Sequence, residues 1–190
     1  MYTRLSIAPA IEPVTITEVK LHLRLATSAA LAAAYTTEDD LLGALIEAAR
    51  SAAEDFTRRA LITQTWKAYL DSWPSVIRLP FPPFQSITSI VVEGVAFTNF
   101  TESLEGIVKP ASGSTWPILS ASPGADPIVI TWVAGYGDAA ADVPAQIRQA
   151  VLLLIGHWYN NREATLIGVS GSSLPLAVEF LLNPFRWIEL

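Results

Sequence analysis

The 190-residue sequence contains no cysteine, two histidines and one methionine. Without cysteine the chain cannot form disulfides, use a thiol nucleophile or build a cysteine-based zinc site. No run of 18 or more apolar residues occurs, so we expect no membrane span. The first residues, MYTRLSIAPAIEP, lack the apolar core of a secretory signal peptide. These absences leave a soluble intracellular protein as the expected class.

Charge is also scarce. Charged residues make up 16% of the chain and hydrophobic residues 51%, whereas about 25% of an average soluble protein is charged. The 12 basic and 18 acidic residues give a net charge of −6, which argues against a general nucleic-acid-binding protein. A chain this apolar has more nonpolar surface than a monomer needs, and the excess indicates assembly with other chains.

Hydrophobic periodicity and capping signals predict helices towards both ends of the chain. Thr15 and Glu18 fit a capping box for a short helix that reaches about residue 25. The alanine-rich residues 27–35 either extend that helix or form a loop. A long amphipathic helix is predicted from the acidic residues at 38–40 to about residue 60. Later helices are predicted from Asp142, as the N-cap, to about residue 161, and from 175 to about 182.

Strands are predicted between these helices, because the residues there alternate and are rich in Thr, Val, Ile and aromatics. The predicted strands are Leu61–Leu70, Ile77–Leu79, Ser86–Glu93, Val95–Phe97 and Pro127–Val133, with weaker ones near Gly106–Lys109 and Trp116–Leu119. The fold class is therefore α+β, a mainly helical bundle interrupted by a β-sheet insertion at about 61–133. We expect one domain over residues 1–190, with a C-terminal tail at 184–190.

No motif supports catalysis. Gly135-Tyr136-Gly137 is half of a dinucleotide-binding fingerprint, but it lacks the third glycine and the downstream acidic residue, so a backbone bend explains it better. His22 and His157 are too few for a zinc site. We therefore predict no catalytic, cofactor-binding or metal-binding residue.

Other weak signals have ordinary structural explanations. The carboxylates of Glu38, Asp39 and Asp40 fit the first turn of a helix better than a magnesium or acid–base site. The serines at 170–173 have no nearby base in the sequence. Six tryptophans could stack nucleic-acid bases, but no basic track accompanies them, which favours core or interface positions.

Five segments, taken in order, resemble one known family. They are TITEVKLHLRL, DDLLGALIEAARSAAEDFTRRALITQTW, LPFPPFQSITSI, ITWVAGYGDAAADVPAQIRQAVLLLIGHWYNNRE and LPLAVEFLLNPFR. Together they resemble the head–tail connector, or adaptor, proteins of long-tailed phages, prophages and gene transfer agents, over about residues 13–186. The most specific pieces are 59–66 and 143–163.

The resemblance implies a structural, non-enzymatic protein in the neck of a virion or phage-like particle, assembled in the bacterial cytoplasm. Such adaptors form a ring, expected to be twelvefold, between the portal and the stopper or tail-terminator proteins. DNA passes through the lumen without specific binding, and no membrane is involved. The C-terminal segment of relatives commonly reaches towards the portal, which here makes Phe185, Arg186, Trp187, Ile188 and Leu190 the candidate partner interface.

Two alternatives stay open at this point. The chain could be another neck or tail-joining protein, such as a stopper or terminator. A small ligand-binding module or enzyme would need a pocket with convergent polar groups, and no motif in the sequence indicates one.

Overall fold

Thr15 and Glu18 begin the first helix as a reciprocal capping box, as the sequence predicts. In the computed structural model, which describes residues 1–120, 126–161 and 175–188, the Glu18 N–H donates to the Thr15 hydroxyl at 3.1 Å. The Thr15 N–H donates to the Glu18 carboxylate at 2.7 Å. This exchange satisfies amide groups that a helix start otherwise leaves unpaired. Helix α1 spans Ile16–His22.

Two further helices follow in the first part of the chain. Helix α2, Ala29–Ala34, begins where the Leu31 N–H donates to the Ser28 hydroxyl at 3.3 Å, so the alanine-rich segment forms a separate helix. Helix α3, Asp39–Thr57, has acidic residues in its first turn, where the helix dipole favours them. Its buried apolar residues recur at helical spacing: Leu42, Ile46, Ala49 and Ala53.

The later helices are α4, Ala145–Asn160, and α5, Leu176–Leu182, which continues into a 3₁₀ turn over Asn183–Phe185. The prediction that Asp142 caps α4 is wrong. Its carboxylate instead accepts from the Ala139 N–H at 2.9 Å in a separate 3₁₀ turn. Pro144 holds an extended backbone at ψ 133°, so the helix begins one residue later, at Ala145.

The chain divides into two compact units. The helical unit comprises Ile11–Leu61 and Ala139–Leu190, and the sheet unit comprises Met1–Ala10 and Ile62–Asp138. In the helical unit α4 packs against both α3 and α5. Its core is formed by buried residues from α3, α4 and α5, including Leu42, Ile46, Ile147, Val151, Leu154, Val178 and Leu182.

The sheet unit contains two antiparallel sheets. The larger has strand order β1-β2-β8-β4-β5 and the smaller β3-β7-β6. The strands are β1 Tyr2–Ile7, β2 Gln64–Leu70, β3 Ile77–Arg78, β4 Phe84–Val92, β5 Val95–Phe97, β6 Phe100–Glu102, β7 Ile107–Pro110 and β8 Ile128–Ala134. Together with the helices, this confirms the α+β class.

Strand β8 shows why the large sheet forms. Every second residue of IVITWVA is buried, so one face of the strand lies in the core. Across the sheet, Trp132 lies opposite Trp66, and Ile130 lies opposite both Ala68 and Ile90. These pairs create a continuous apolar face in the centre of the sheet.

Three strand assignments differ from the sequence prediction. Strand β1 pairs with β2, and strand β6 pairs with β7, although the sequence indicates no strand at either place. Residues 116–119 form no strand, so that prediction is wrong. Aromatic contacts hold them instead, because Trp116 stacks on Trp73 with ring centres 4.2 Å apart and the Trp73 indole N–H donates to the Pro117 carbonyl at 2.9 Å.

Gly135 marks the bend that the sequence predicts after the last strand. Its φ is +138°, and a Cβ there would lie 2.6 Å from backbone atoms of Ile62 and Thr63. We expect Gly135→Ala to lower the free energy of unfolding by at least about 3 kcal/mol. The control is Gly43→Ala within α3, where nothing lies within 4 Å of the added Cβ, and we expect it to raise stability by about 1 kcal/mol. Urea unfolding measures both, and equal effects would contradict this account.

Candidate interaction surfaces

The C-terminal tail is anchored to the end of α3 through its backbone. The Trp187 N–H donates to the Thr57 carbonyl at 2.8 Å. The Arg59 Nε donates to the Phe185 carbonyl at 2.5 Å. On the tail these bonds use only backbone atoms, so its side chains are not needed to hold it in place and are free to contact a partner protein.

The tail side chains differ in how far they face solvent. Phe185 and Trp187 are half-buried, whereas Arg186 is exposed and its guanidinium lies 5.6 Å from the centre of the Phe56 ring. Ile188 is 69% exposed. The predicted interface residues 185–188 thus form one continuous segment on the helical unit, and Leu190 lies outside the described residues.

Helix α5 carries an exposed apolar face that the sequence pattern does not predict. Leu176 and Phe180 are each 79% exposed, while Val178 and Leu182 point into the core. Residues four apart lie on the same helix face, so the two exposed side chains are neighbours. One feature of the sequence does indicate this face: α5 is apolar on nearly all sides, as expected of a helix that packs against partners on more than one face.

A groove of about 360 Å³ lies between the start of α3 and the end of α4. It is lined by Leu41, Leu45, Trp158, Tyr159 and Asn161. Most of this lining is apolar, and Leu41 is 38% exposed. The groove therefore adds a second apolar surface to the helical unit.

A buried lysine connects the first three helices. Lys20 on α1 is 2% exposed, and its Nζ lies 2.5 Å from the Asp39 carboxylate at the start of α3. The same Nζ donates to the carbonyls of Ala32, at 2.9 Å, and Tyr35. A buried ammonium group needs such a full set of acceptors. Asp39 thus has a structural role, in keeping with its place in the first helical turn.

A second charged cluster joins the chain before α1 to α3. The Arg50 guanidinium donates to Glu12 and to Glu54, each at 2.8 Å. Burial raises the pKa of Glu12, and the nearby Arg50 acts in the opposite direction. Arg50 thus supplies the positive charge that compensates two partly buried carboxylates.

Glu18 joins α1 to α4. Burial acts to raise its pKa, but the donors from Thr15 and the guanidinium of Arg148 outweigh this, so the pKa of Glu18 is lowered. Arg148 also donates from Nε to the Pro13 carbonyl at 3.0 Å. The contact fixes the start of α1 against the last long helix.

The other chemical signals do not converge on a reactive site. His22 and His157 are exposed on separate helices, and within residues 1–120, 126–161 and 175–188 no group of three His, Asp or Glu side chains could hold a metal. Glu38 accepts from the hydroxyls of Tyr35 and Tyr159. The serines at 170–173 lie outside the described residues. Among the described helices, none is long and apolar enough to cross a membrane.

Three solved structures share the fold over the whole chain. One is the virion of a native gene transfer agent particle, 22% identical with a TM-score of 0.78. Another is the neck of an empty gene transfer agent particle computed with C6 symmetry, which is 24% identical with a TM-score of 0.78. A third is the neck of a native gene transfer agent particle computed with C12 symmetry, which is 20% identical with a TM-score of 0.68. Each match covers 100% of this chain and 97% of the other.

A search of curated proteins finds no match to the chain. The model of one family, the phage gp6-like head-tail connector proteins, matches residues 120–186, about a third of the sequence. This range holds β8, α4, α5 and the first three residues of the tail. The resemblance that the sequence indicates is thereby confirmed: over residues 120–186 the chain carries the sequence pattern of the phage gp6-like head-tail connector family.

Proposed function

We propose that this chain is a structural component of the neck of a tailed phage or gene transfer agent particle, and that it has no enzymatic activity. The observation that carries the proposal is the fold match along the whole chain to structures described as particle necks. The connector family model over residues 120–186 points the same way. The helical unit offers apolar docking surfaces, as expected of a protein that joins larger pieces.

We further propose the adaptor position, in which a ring of copies lies between the portal and the stopper or tail-terminator proteins. Similar necks have been computed with C12 and C6 symmetry, which agrees with a twelvefold ring. In this ring each copy of the chain would contribute one connector domain. A closed ring needs heterologous contacts, in which two different surfaces of the same chain meet.

Within this proposal DNA passes through the ring lumen without specific binding. The net charge of −6 supports it, because like charge keeps phosphates from adhering to the wall. The residues at 184–190 are proposed to reach the portal after the ring is assembled in the bacterial cytoplasm. Their backbone anchoring at Thr57 and Arg59 would direct the tail while leaving Ile188 exposed.

A deletion experiment tests the neck assignment. Deleting the gene is expected to produce filled or empty heads without tails, and supplying the chain in trans is expected to restore tailed particles that contain it, as shown by mass spectrometry. Tailed particles in the deletion strain would contradict the proposal. Heads that retain stopper protein but lack tails would instead place the chain later in the neck, as a terminator.

A further inference from the structure

The face of the large sheet that turns away from the core carries an unusual row of side chains. Side chains alternate between the faces of a strand, and the buried Trp132, Ile130 and Ala68 occupy the core face. The strand register places the residues of the opposite face side by side across four strands. In order across β1, β2, β8 and β4, this row is Arg4, Lys67, Thr131 and Ser89.

Arg4 and Lys67 are directly opposite each other on neighbouring antiparallel strands. Like charges at such positions repel and destabilise the pair. Strands β1, β2, β4 and β8, all within the described residues, contain no Asp or Glu. Neither cation forms an ion pair with any residue that the structure describes. The chain thus keeps an uncompensated basic pair although its net charge is −6.

The two cations line a small groove of about 160 Å³ together with Leu5, Ser6 and Tyr69. Arg4 is exposed and Lys67 half-buried, so both can reach a ligand. Tyr69 is held in place by stacking on Tyr2, with ring centres 4.7 Å apart. The Tyr2 hydroxyl donates to Asp126 at 2.7 Å, so that carboxylate is already engaged beside the groove. The groove therefore presents donors and positive charge to a small anionic group.

We propose that Arg4 and Lys67 bind a carboxylate on a second copy of this chain, as part of the contact between neighbouring subunits. The inference rests on the proposed ring. A guanidinium binds a carboxylate with two parallel hydrogen bonds, and each copy brings 18 acidic residues. Two cations in a small groove match one side chain, whereas a nucleic-acid backbone calls for a longer basic track.

The three lysines of the sequence make this contact testable by carbodiimide cross-linking. The reagent joins a lysine to a carboxylate only where the two are already in contact. Rings are assembled on purified portal from an equal mixture of ordinary and ¹⁵N-labelled chain, cross-linked and analysed by mass spectrometry. Lys20 provides the internal standard, because its contact with Asp39 at 2.5 Å lies within one chain. Lys109, exposed on β7, provides the control for random encounters.

The expected result is a Lys67 cross-link to an Asp or Glu of another copy, with mixed isotope pairs. Arg4→Gln is expected to reduce that product at least fivefold, and 500 mM salt to reduce it similarly, with the Lys20–Asp39 product unchanged. Cross-links of Lys67 only within a chain, only to portal, or no more frequent than those of Lys109 would overturn the inference. Binding of fluorescent duplex DNA that is lost in Lys67→Gln would overturn it in favour of a phosphate ligand.

The same preparation separates this inference from the proposed function. Co-sedimentation of the chain with portal reports on the proposed adaptor position and does not depend on Lys67. If the chain co-sediments but Lys67 forms no intermolecular product, the inference fails and the proposed function stands. If the chain does not co-sediment with portal, the proposed adaptor position fails, and the inference that rests on the ring fails too.

Discussion

Replacing Phe185 and Trp187 together with alanine is expected to weaken binding to portal by about 30-fold or more. Truncating one central aromatic at an interface commonly costs about 2 kcal/mol, and about 1.4 kcal/mol corresponds to each factor of ten in affinity. Both side chains are half-buried on the helical unit. The tail is held by hydrogen bonds from the Trp187 N–H to the Thr57 carbonyl and from the Arg59 Nε to the Phe185 carbonyl. Neither bond uses the side chain of Phe185 or Trp187, so the monomer should stay folded.

The measurement is a pull-down with purified portal, titrated to give an affinity, alongside thermal unfolding of the isolated chain. Leu104→Ala is the control, because Leu104 in the sheet unit is a large apolar residue that is 91% exposed. We expect the control to bind as the parent chain does. Unchanged binding of the double variant, with a normal unfolding transition, would show that the tail is not the portal-binding segment.

Replacing Arg50 with alanine is expected to lower the free energy of unfolding by about 3 kcal/mol, within the range for breaking a buried ion pair. Arg50 is 8% exposed and compensates Glu12 and Glu54. Glu54 in turn accepts from the Leu61 N–H at 2.9 Å. Without the guanidinium the partly buried carboxylates of Glu12 and Glu54 lose the positive charge of Arg50, and the ion pair between α3 and the residues before α1 is lost.

The pH dependence of this loss has a defined sign. Burial raises the pKa of Glu12, and removing Arg50 raises it further. A raised carboxyl pKa gives stability that is present below the pKa of the unfolded chain and is lost as pH rises through the folded value. The deficit of Arg50→Ala should therefore be smaller at pH 4.5 than at pH 7.

Two further variants complete the unfolding measurements in urea. Arg78→Ala, on the exposed surface of β3, should change stability by less than about 0.5 kcal/mol. Adding Glu12→Gln to Arg50→Ala should recover part of the loss, because it removes one uncompensated charge. A deficit in Arg50→Ala no larger than that of Arg78→Ala would show that the cluster does not stabilise the fold.

Local patterns were sufficient to predict much of the helical unit. The stripe through Leu42 and Ile46 has the helical period, and Thr15 with Glu18 forms a capping motif contained within four residues. Both signals depend only on neighbours in sequence. The prediction that Asp142 caps α4 is wrong because a 3₁₀ turn and the start of an α-helix favour the same residue types. The extended conformation of Pro144 decides between the two.

Contacts between distant parts of the sequence could not be predicted in this way. Strand β1 exists because it pairs with β2, some 60 residues later in the chain, and six residues carry too weak a pattern alone. The Arg4–Lys67 pair depends on that register, since a shift by one residue would put the two side chains on opposite faces.

The candidate interface was predictable in part. The aromatic residues Phe185 and Trp187 stand out in the sequence. Their attachment to Thr57 and to the Arg59 side chain uses backbone atoms of the tail, which no composition reveals. The sequence does not predict the exposed pair Leu176 and Phe180, because periodicity cannot tell a buried apolar residue from an exposed one on a helix that is apolar on nearly all sides.

A cryo-electron microscopy map of the particle neck, at a resolution that shows side chains, would locate this chain and its neighbours. We expect a ring of twelve copies between portal and stopper, with residues 184–190 of each copy against the portal and the lumen open to DNA. A neck ring built from another protein, or this chain located at the tail side of the stopper, would contradict this expectation.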